Sequence, residues 1–139
     1  MAAEFSQLAS NLENYKASLY TQAQNEVGKT NSLIGALANA NIELSGSKAT
    51  NSMLDSRDAI IDELNEYAQV TVKISQNNTA EVTLGDVENG PKLLTNNHVQ
   101  NLTVTAEDDR LNFSVTVGAN NIKTNQIKKL YFYSNIFSF

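Results

Sequence analysis

Enzymes that move protons or hold metals gather unlike reactive groups, and this chain carries few of them. Its single histidine, His98, follows Asn96-Asn97 in a polar turn sequence, where a solvated surface imidazole is the ordinary outcome. Cysteine is absent, which removes thiolate nucleophiles, disulfides and sulfur-ligated zinc together. The carboxylates Asp55, Asp58, Asp62, Glu63 and Glu66 crowd one stretch. Asp58, Asp62 and Glu66 stand four apart, so on a helix they form one ridge of like charges, repelling by roughly 0.2–0.5 kcal/mol per pair. That spacing lacks the oxygen-rich loop of a calcium site, and a solvated acidic face, or one that meets a basic partner, is the simpler reading. Glu107-Asp108-Asp109 reads as a turn. Gly85-x4-Gly90 runs into Pro91-Lys92 and opens no helix, so it has no phosphate-cradling meaning. The sequons at Asn77, Asn101 and Asn112 are short enough to arise by chance in an Asn-rich chain. The sequence therefore points to no catalytic residue, cofactor or metal, and the chain is not read as an enzyme.

Arg57 is different in kind. It falls four residues after Met53 and three before Ile60, on an apolar helical stripe whose i±3 and i±4 positions are Met53, Leu54, Ile60 and Ile61. No acid stands within helical reach, and an unpaired buried charge costs several kcal/mol. The guanidinium is expected to tie the helix to carboxylates or backbone carbonyls on another element; recognition of an anionic ligand is the alternative.

Size and charge bound the rest. The chain has 139 residues, 41% of them hydrophobic, and a formal net charge of −5. That length supports one modest core or two small units sharing a hinge. The acidic balance disfavours nucleic acid, whose phosphates need a basic face. No apolar run reaches the ~20 residues of a membrane-spanning helix, and Met1-Ala-Ala-Glu-Phe5 lacks the regions of a signal peptide. Charge is uneven along the chain: seven basic against fifteen acidic residues up to Ala119, then three lysines and no acid from Asn120 to Phe139. Tyr131, Phe132, Tyr133, Phe137 and Phe139 crowd the same tail. It reads either as an element packing on the rest or as an out-of-frame extension.

The elements that must position these residues follow from periodicity. Phe5, Leu8, Leu12, Tyr15 and Leu19 recur in a 3-4-3-4 pattern that resembles a coiled-coil seam. Leu19, Ala23 and Val27 then shift to four-and-four, as a stutter does, before Ile34, Leu37 and Asn41 restore the stripe. One helix from about Ala3 to Leu44 is expected, with Gly28 and Gly35 tolerated if they allow a neighbouring helix to approach closely. Gly46 suits a left-handed helix end. Ser52 with Asp55 reads as a capping box opening a second helix, whose apolar face holds Met53, Leu54, Ile60, Ile61, Leu64, Tyr67 and Ala68. The two helices form an antiparallel hairpin. From Val70 the period becomes two. Val70–Ile74 and Ala80–Leu84 flank an Asn77-Asn78 turn; Lys92–Thr95 is a short strand; Leu102–Thr105 and Leu111–Val117 complete five antiparallel strands with one buried face. The expected fold is α+β, with a helical hairpin over residues 1–68, a small antiparallel β domain over 69–119 and a tail at 120–139 without assigned structure.

With these residues placed, the stretch from about Val27 to Leu94 resembles the flagellar hook-associated protein of the hook-side layer of the hook–filament junction. Asn31-Ser32-Leu33, Leu37-Ala38 with Asn41, Met53-Leu54-Asp55-Ser56-Arg57-Asp58, Ile60-Ile61 with Glu63-Leu64, and Val70-Thr71-Val72 carry the likeness. Met53, Ser56 and Ala40 depart from the family's leucine, glutamine and leucine. The resemblance implies an internal fragment of a structural subunit, exported unfolded through the flagellar secretion channel without a cleaved signal peptide and assembling with itself and other axial proteins, hook and second junction protein among them. The helical hairpin would belong to the subunit-packing layer and the sheet to an outward-facing domain. Arg57, Asp55, Asp58, Leu54, Ile61, Leu64 and Asn41 are then the candidate structural and interaction residues. A structural or adhesive module of another secreted assembly, such as a phage tail or surface fibre, remains the alternative, and a hydrolase using the acidic helix a third.

Overall fold

The computed structural model describes residues 2–46, 48–85, 90–107, 110–117 and 120–124. Helix α1 spans Ala2–Gly46 and α2 spans Asn51–Tyr67. They are followed by strands β1 (Val70–Ile74), β2 (Ala80–Leu84), β3 (Lys92–Thr95), β4 (His98–Val99), β5 (Leu102–Glu107), β6 (Arg110–Val117) and β7 (Asn120–Thr124). The α+β architecture expected from the periodicities is the one observed.

Along α1 the buried positions are Leu19, Ala23, Val27, Thr30, Ile34, Leu37, Asn41 and Leu44, with Leu33 and Ala38 beside them. The four-four shift is there, and Thr30 fills the gap between Val27 and Ile34. A threonine fits because its Oγ1 donates to Glu26 O at 3.0 Å, which satisfies the hydroxyl within the helix itself.

The helix is unbroken at Gly28 and Gly35, and the expectation that they admit a neighbouring helix is overturned. Among the described residues, a side chain at either position would meet no atom within 4 Å. Gly28→Ala and Gly35→Ala should therefore each stabilise the isolated chain, by about 0.5–1 kcal/mol, through the backbone entropy a helical glycine wastes. Thermal melting measures this, and a fall in midpoint would show that the added methyl meets something.

Two end signals differ from expectation. Gly46 closes α1 with no left-handed φ; Ser47, beyond it, lies outside the described residues. The cap of α2 is Thr50, whose Oγ1 accepts from Met53 N at 3.2 Å. Ser52 and Asp55 thus sit inside the first turns, and no Ser52–Asp55 capping box forms. Thr50 wins because it is the last extended residue before the helix, the position from which a hydroxyl faces the third helical amide. The helices run antiparallel, with Lys29 Nζ 3.2 Å from Glu63 Oε1 across the hairpin. Both side chains are about half exposed, so this pair contributes little.

The strands form two sheets rather than one with five strands. The first has the order β1-β2-β3-β4 and the second β5-β6-β7, all neighbours antiparallel. The register of the first hairpin, from Val70 opposite Leu84 to Ile74 opposite Ala80, is the one its alternation implies. Between β2 and β3 the ladder shifts: Val82 faces Leu94 but Thr83 faces Lys92. Leu93 is the extra residue of a bulge, which breaks the in-out alternation, and Leu93 and Leu94 are accordingly both buried. His98 was expected in a turn; it lies in β4, exposed, opposite Thr95. β7 falls in the tail to which no structure was assigned. The Glu107-Asp108-Asp109 turn and the loop after Gly85 lie partly outside the described residues, and residues 125–139 wholly so. Before that loop Gly85 holds φ 96°; after it, a Cβ on Gly90 would run into Leu84 O.

One core joins helices and sheets. Leu19, Val27, Ile34 and Leu37 of α1, Leu64 of α2, Ala80, Val82 and Leu84 of β2, Leu93 and Leu94 of β3, and Leu102 of β5 form a continuous buried cluster. The sheets lie along α1 in register with its length, because Asn41 reaches Ala80 and Asn96, Asn31 reaches Leu102, and Tyr20 Oη lies 3.5 Å from Val104 O.

Candidate functional site

Apolar packing holds the sheets against α1, and polar side chains of the helices add directional ties to particular backbone groups; Asn41, Asn31 and Arg57 make the most of them.

Asn41 stands on the buried stripe of α1, 2% exposed. Its Oδ1 accepts from Ala80 N at 2.7 Å, while Nδ2 donates to Ala80 O at 2.9 Å and to Asn96 O at 2.7 Å. Both amide protons and the carbonyl are used. The side chain occupies the edge of β2 where β3 has ended, standing in for the missing strand and satisfying groups that burial would otherwise orphan.

Asn31, one stretch earlier on α1, does the same to β5. Its Oδ1 accepts from Leu102 N and its Nδ2 donates to Leu102 O, both at 2.9 Å. This contact was not among the expected interaction residues, although Asn31 belongs to the motif. The available signal was an asparagine in mid-helix, where its propensity is poor, next to an apolar stripe.

Arg57 is buried, 8% exposed. Nη1 donates to Asn78 O at 2.8 Å, across to the β1–β2 turn. Nε and Nη2 converge on one oxygen of Asp58, at 2.9 and 2.7 Å. The expectation that no local acid could pair with it is thus wrong in part. Side chains at i and i+1 diverge on a helix, but the arginine stem is long enough to carry the guanidinium out to the helix margin, where Asp58, with 58% of its side chain exposed, meets it.

The two turns so gripped share one backbone feature. Among the described residues Asn78 and Asn96 are the non-glycine residues with positive φ, 67° and 55°, a conformation asparagine tolerates better than most. Each presents its carbonyl to a helix: Asn78 O to Arg57, Asn96 O to Asn41. The β1–β2 turn is closed internally by Asn78 N to Ser75 O at 3.0 Å and Ser75 N to Thr79 O at 2.9 Å, and by contacts among Ser75, Asn77 and Thr79 side chains.

Of the other expected residues, Leu64 is fully buried, Leu54 and Ile61 are half-buried, and Asp55 is exposed. Asp62 and Glu66 are exposed with it, as a solvated ridge requires. The structure brings together Arg57 and Asp58, places Asn41 on the neighbouring strand edge, and leaves Asp55 away from both. Among the described residues no group of His, Cys, Asp or Glu is placed to hold a metal ion, and no helix is long and apolar enough to cross a membrane. A shallow pocket of about 200 Å³ beside the Asn41 clasp is lined by Asn41, Ile42, Ser45, Asn77, Thr79, Asn96 and Asn97, one apolar side chain among amides and hydroxyls.

A second feature lies at the other end of α1. Among the described residues none before Leu19 is buried, and Phe5, Leu8, Leu12 and Tyr15 are 75%, 66%, 47% and 53% exposed. At 1.5 Å per residue the helix therefore overhangs its own core by about 25 Å, carrying an apolar seam that no described residue covers.

A helical hairpin clasped to small sheets, with an exposed apolar stripe at the start of α1, defines an α+β module. The chain belongs to the FlgK helical-domain family: the family profile described as flagellar hook-associated protein FlgK helical domain matches residues 1–130. That match takes in all of α1, beyond the stretch where motif residues alone carried the likeness, and ends before Tyr131. Among solved structures, the flagellar hook junction protein FlgK from Burkholderia pseudomallei is similar, with a TM-score of 0.66 and 25% identity over 83% of this chain. The chain spans 21% of that protein's length. No relative was found among curated protein sequences. Of the motif departures, Ser56 is exposed and Met53 and Ala40 are half-buried, all three outside the buried core cluster.

Proposed function

We propose that this chain acts as a structural subunit, or part of one, of the bacterial flagellar hook–filament junction, and that it assembles by helix packing along the Phe5–Tyr15 face. The observation that carries the proposal is the coincidence of FlgK-family membership with a long apolar seam that nothing in the described chain covers. Exposed seams of this kind mark association surfaces. In this reading the hairpin over residues 1–68 is the packing layer and the sheet region over 69–119 the outward-facing part. Asn41, Arg57 with Asp58, and the Leu54, Ile61 and Leu64 face of α2 hold the two in fixed relation, while Asp55 lies on the solvated side. The partners are further copies of the chain and other axial proteins of the flagellum, reached by export without a cleaved signal peptide. No catalysis, cofactor, nucleic acid or membrane is called for.

The test is binding of the purified chain to isolated hooks, followed by immunogold microscopy. Binding at hook ends is expected, and Leu8→Asp with Leu12→Asp should weaken it by about a hundredfold or more, since each buried leucine contributes about 1.5–3 kcal/mol. These side chains are exposed in the free chain, so melting should not change. Equal binding by the double variant would remove helix packing from the proposal. Binding to tail tubes but not to hooks would favour a phage-tail module instead.

A further inference from the structure

Strand β1 is an open edge of the first sheet. The order β1-β2-β3-β4 leaves no described strand on its outer side. Which of its peptide groups face that side follows from the ladder with β2. Ser75 N donates to Thr79 O at 2.9 Å and Gly85 N to Gln69 O at 2.8 Å, and the register between these bonds is regular, with Thr71 opposite Thr83 and Lys73 opposite Glu81. In an antiparallel pair every second residue exchanges its bonds with the residue opposite, so Gln69, Thr71, Lys73 and Ser75 turn their peptide groups to β2. The N–H and C=O groups of Val70, Val72 and Ile74 therefore point outward.

Sheets blunt such an edge with proline, a bulge or a charge that repels an incoming strand. β1 has no proline and no break in its register, and its one charged residue, Lys73, stands opposite Glu81. At its far end Ile74 is a large apolar side chain left 43% exposed. The strand is also its own complement. Laid antiparallel about Val72 on a second copy, it sets Val70 opposite Ile74 of that copy, Val72 opposite Val72, and Thr71 opposite Lys73. All the outward peptide groups are then paired, and each Ile74 gains an apolar cross-strand neighbour. A shift of two residues in one direction sets Lys73 against Lys73, like charges directly opposite. The same shift in the other direction carries Ile74 past the strand to Ala68, which is already buried in the core.

We propose that β1 is a self-association edge: two copies of this chain join antiparallel through Val70, Val72 and Ile74, and the sheet of one continues into the sheet of the other. The contact lies apart from the Phe5–Tyr15 face and does not depend on the junction role. Because both copies use the same surface, it closes as a two-fold pair. With one strand from each copy it belongs to the small, weak class of interfaces, so the pair fills as protein concentration rises.

The chain has no cysteine, so engineered thiols report the register directly. Thr71 and Lys73 of the second copy would form a pair without hydrogen bonds between them, Cα atoms about 4.5 Å apart, within disulfide reach. Two copies of Thr71, or two of Lys73, would stand on the diagonal at about 7–8 Å, outside that reach. Full-length Thr71→Cys and Lys73→Cys chains, each also carrying Leu8→Asp and Leu12→Asp to silence the other apolar face, are oxidised mildly, alone and mixed. The mixture should give a linked pair several times more abundantly than either variant alone. In the same aspartate background without cysteines, sedimentation should show monomer passing to dimer as concentration rises. Ile74→Pro removes an outward N–H and spares the ladder with β2, and should hold the chain monomeric. Links as strong in a single variant as in the mixture, no link at all, or a dimer indifferent to Ile74→Pro would overturn the proposal. A chain monomeric at every concentration would overturn it too, and would leave the edge to a strand of another protein. The junction role is separable: hook binding by a chain that gives no link sinks only the edge contact, and a linked pair without hook binding by any variant sinks only the junction assignment.

Discussion

Asn41→Ala should lower the stability of this chain by about 3–5 kcal/mol, more than any exposed substitution on the same helix. The alanine removes three hydrogen bonds, but the larger loss is what it leaves behind: the Ala80 amide and the Ala80 and Asn96 carbonyls, which the Asn41 amide satisfies. An orphaned buried donor or acceptor costs about 1–3 kcal/mol, beyond the modest net value of the bond itself. For a domain of this size the melting midpoint should fall by roughly 10–15 °C. Asn41→Leu separates packing from polarity, since it restores volume without a donor or acceptor and should recover little. Asn41→Asp keeps the acceptor for the Ala80 amide but turns a carboxylate oxygen toward two carbonyls, and should be no better than alanine. A loss below about 1 kcal/mol for Asn41→Ala would mean that water or a shifted β3 takes over the clasp, and its structural role would fall.

Arg57→Ala should cost about 2–3 kcal/mol, with hydrogen exchange of the β1–β2 turn amides rising in parallel. Arg57 makes two kinds of contact, and their weights differ. The Asp58 contact is short, yet Asp58 is largely solvated, so the ion pair contributes about 0–1 kcal/mol. The Asn78 carbonyl is the partner that matters, because it faces inward from a left-handed residue and takes its bond from the buried guanidinium. Asp58→Asn should therefore stay within about 0.5 kcal/mol of the parent, while Arg57→Lys, which keeps charge but not the fork, should lie between parent and alanine. Equal losses for Arg57→Ala and Asp58→Asn would assign the effect to the ion pair and contradict the carbonyl reading.

These two residues also show how far the chain can be read unfolded. A polar side chain on an apolar stripe declares that it has a buried partner; Arg57 was read so, whereas Asn41 was singled out through the family resemblance alone. Which partner it has is a matter of distance in space, and spacing along one helix cannot give it: Asn78 lies on the hairpin beyond the sheet, and Asp58 was excluded by a rule about helix faces that a long side chain can evade. Strand positions were legible where in-out alternation was clean, as in β1, β2 and β6. β3 was also placed at its observed bounds, Lys92–Thr95, but which of its residues face the core was not legible, because the bulge at Leu93 breaks the alternation and buries Leu93 and Leu94 together. The division into two sheets was also hidden, since nothing in a strand's own pattern says which neighbour it pairs with. Asn31 escaped notice because it flanks the stripe rather than standing on it, so its amide looked like one more exposed polar group.

The clasps hold the sheets by peptide groups alone. Ala80 N and O, Leu102 N and O, Asn78 O and Asn96 O are atoms that nearly every residue possesses. What Asn31, Asn41 and Arg57 demand of their partners is a path of the backbone, and the identity of the outward side chains is free. The helical hairpin thus works as a standard socket. Mutation can rewrite the solvent-facing residues of the sheets without loosening the joint, so such a surface can drift quickly while Asn31, Asn41 and Arg57 beneath it stay fixed.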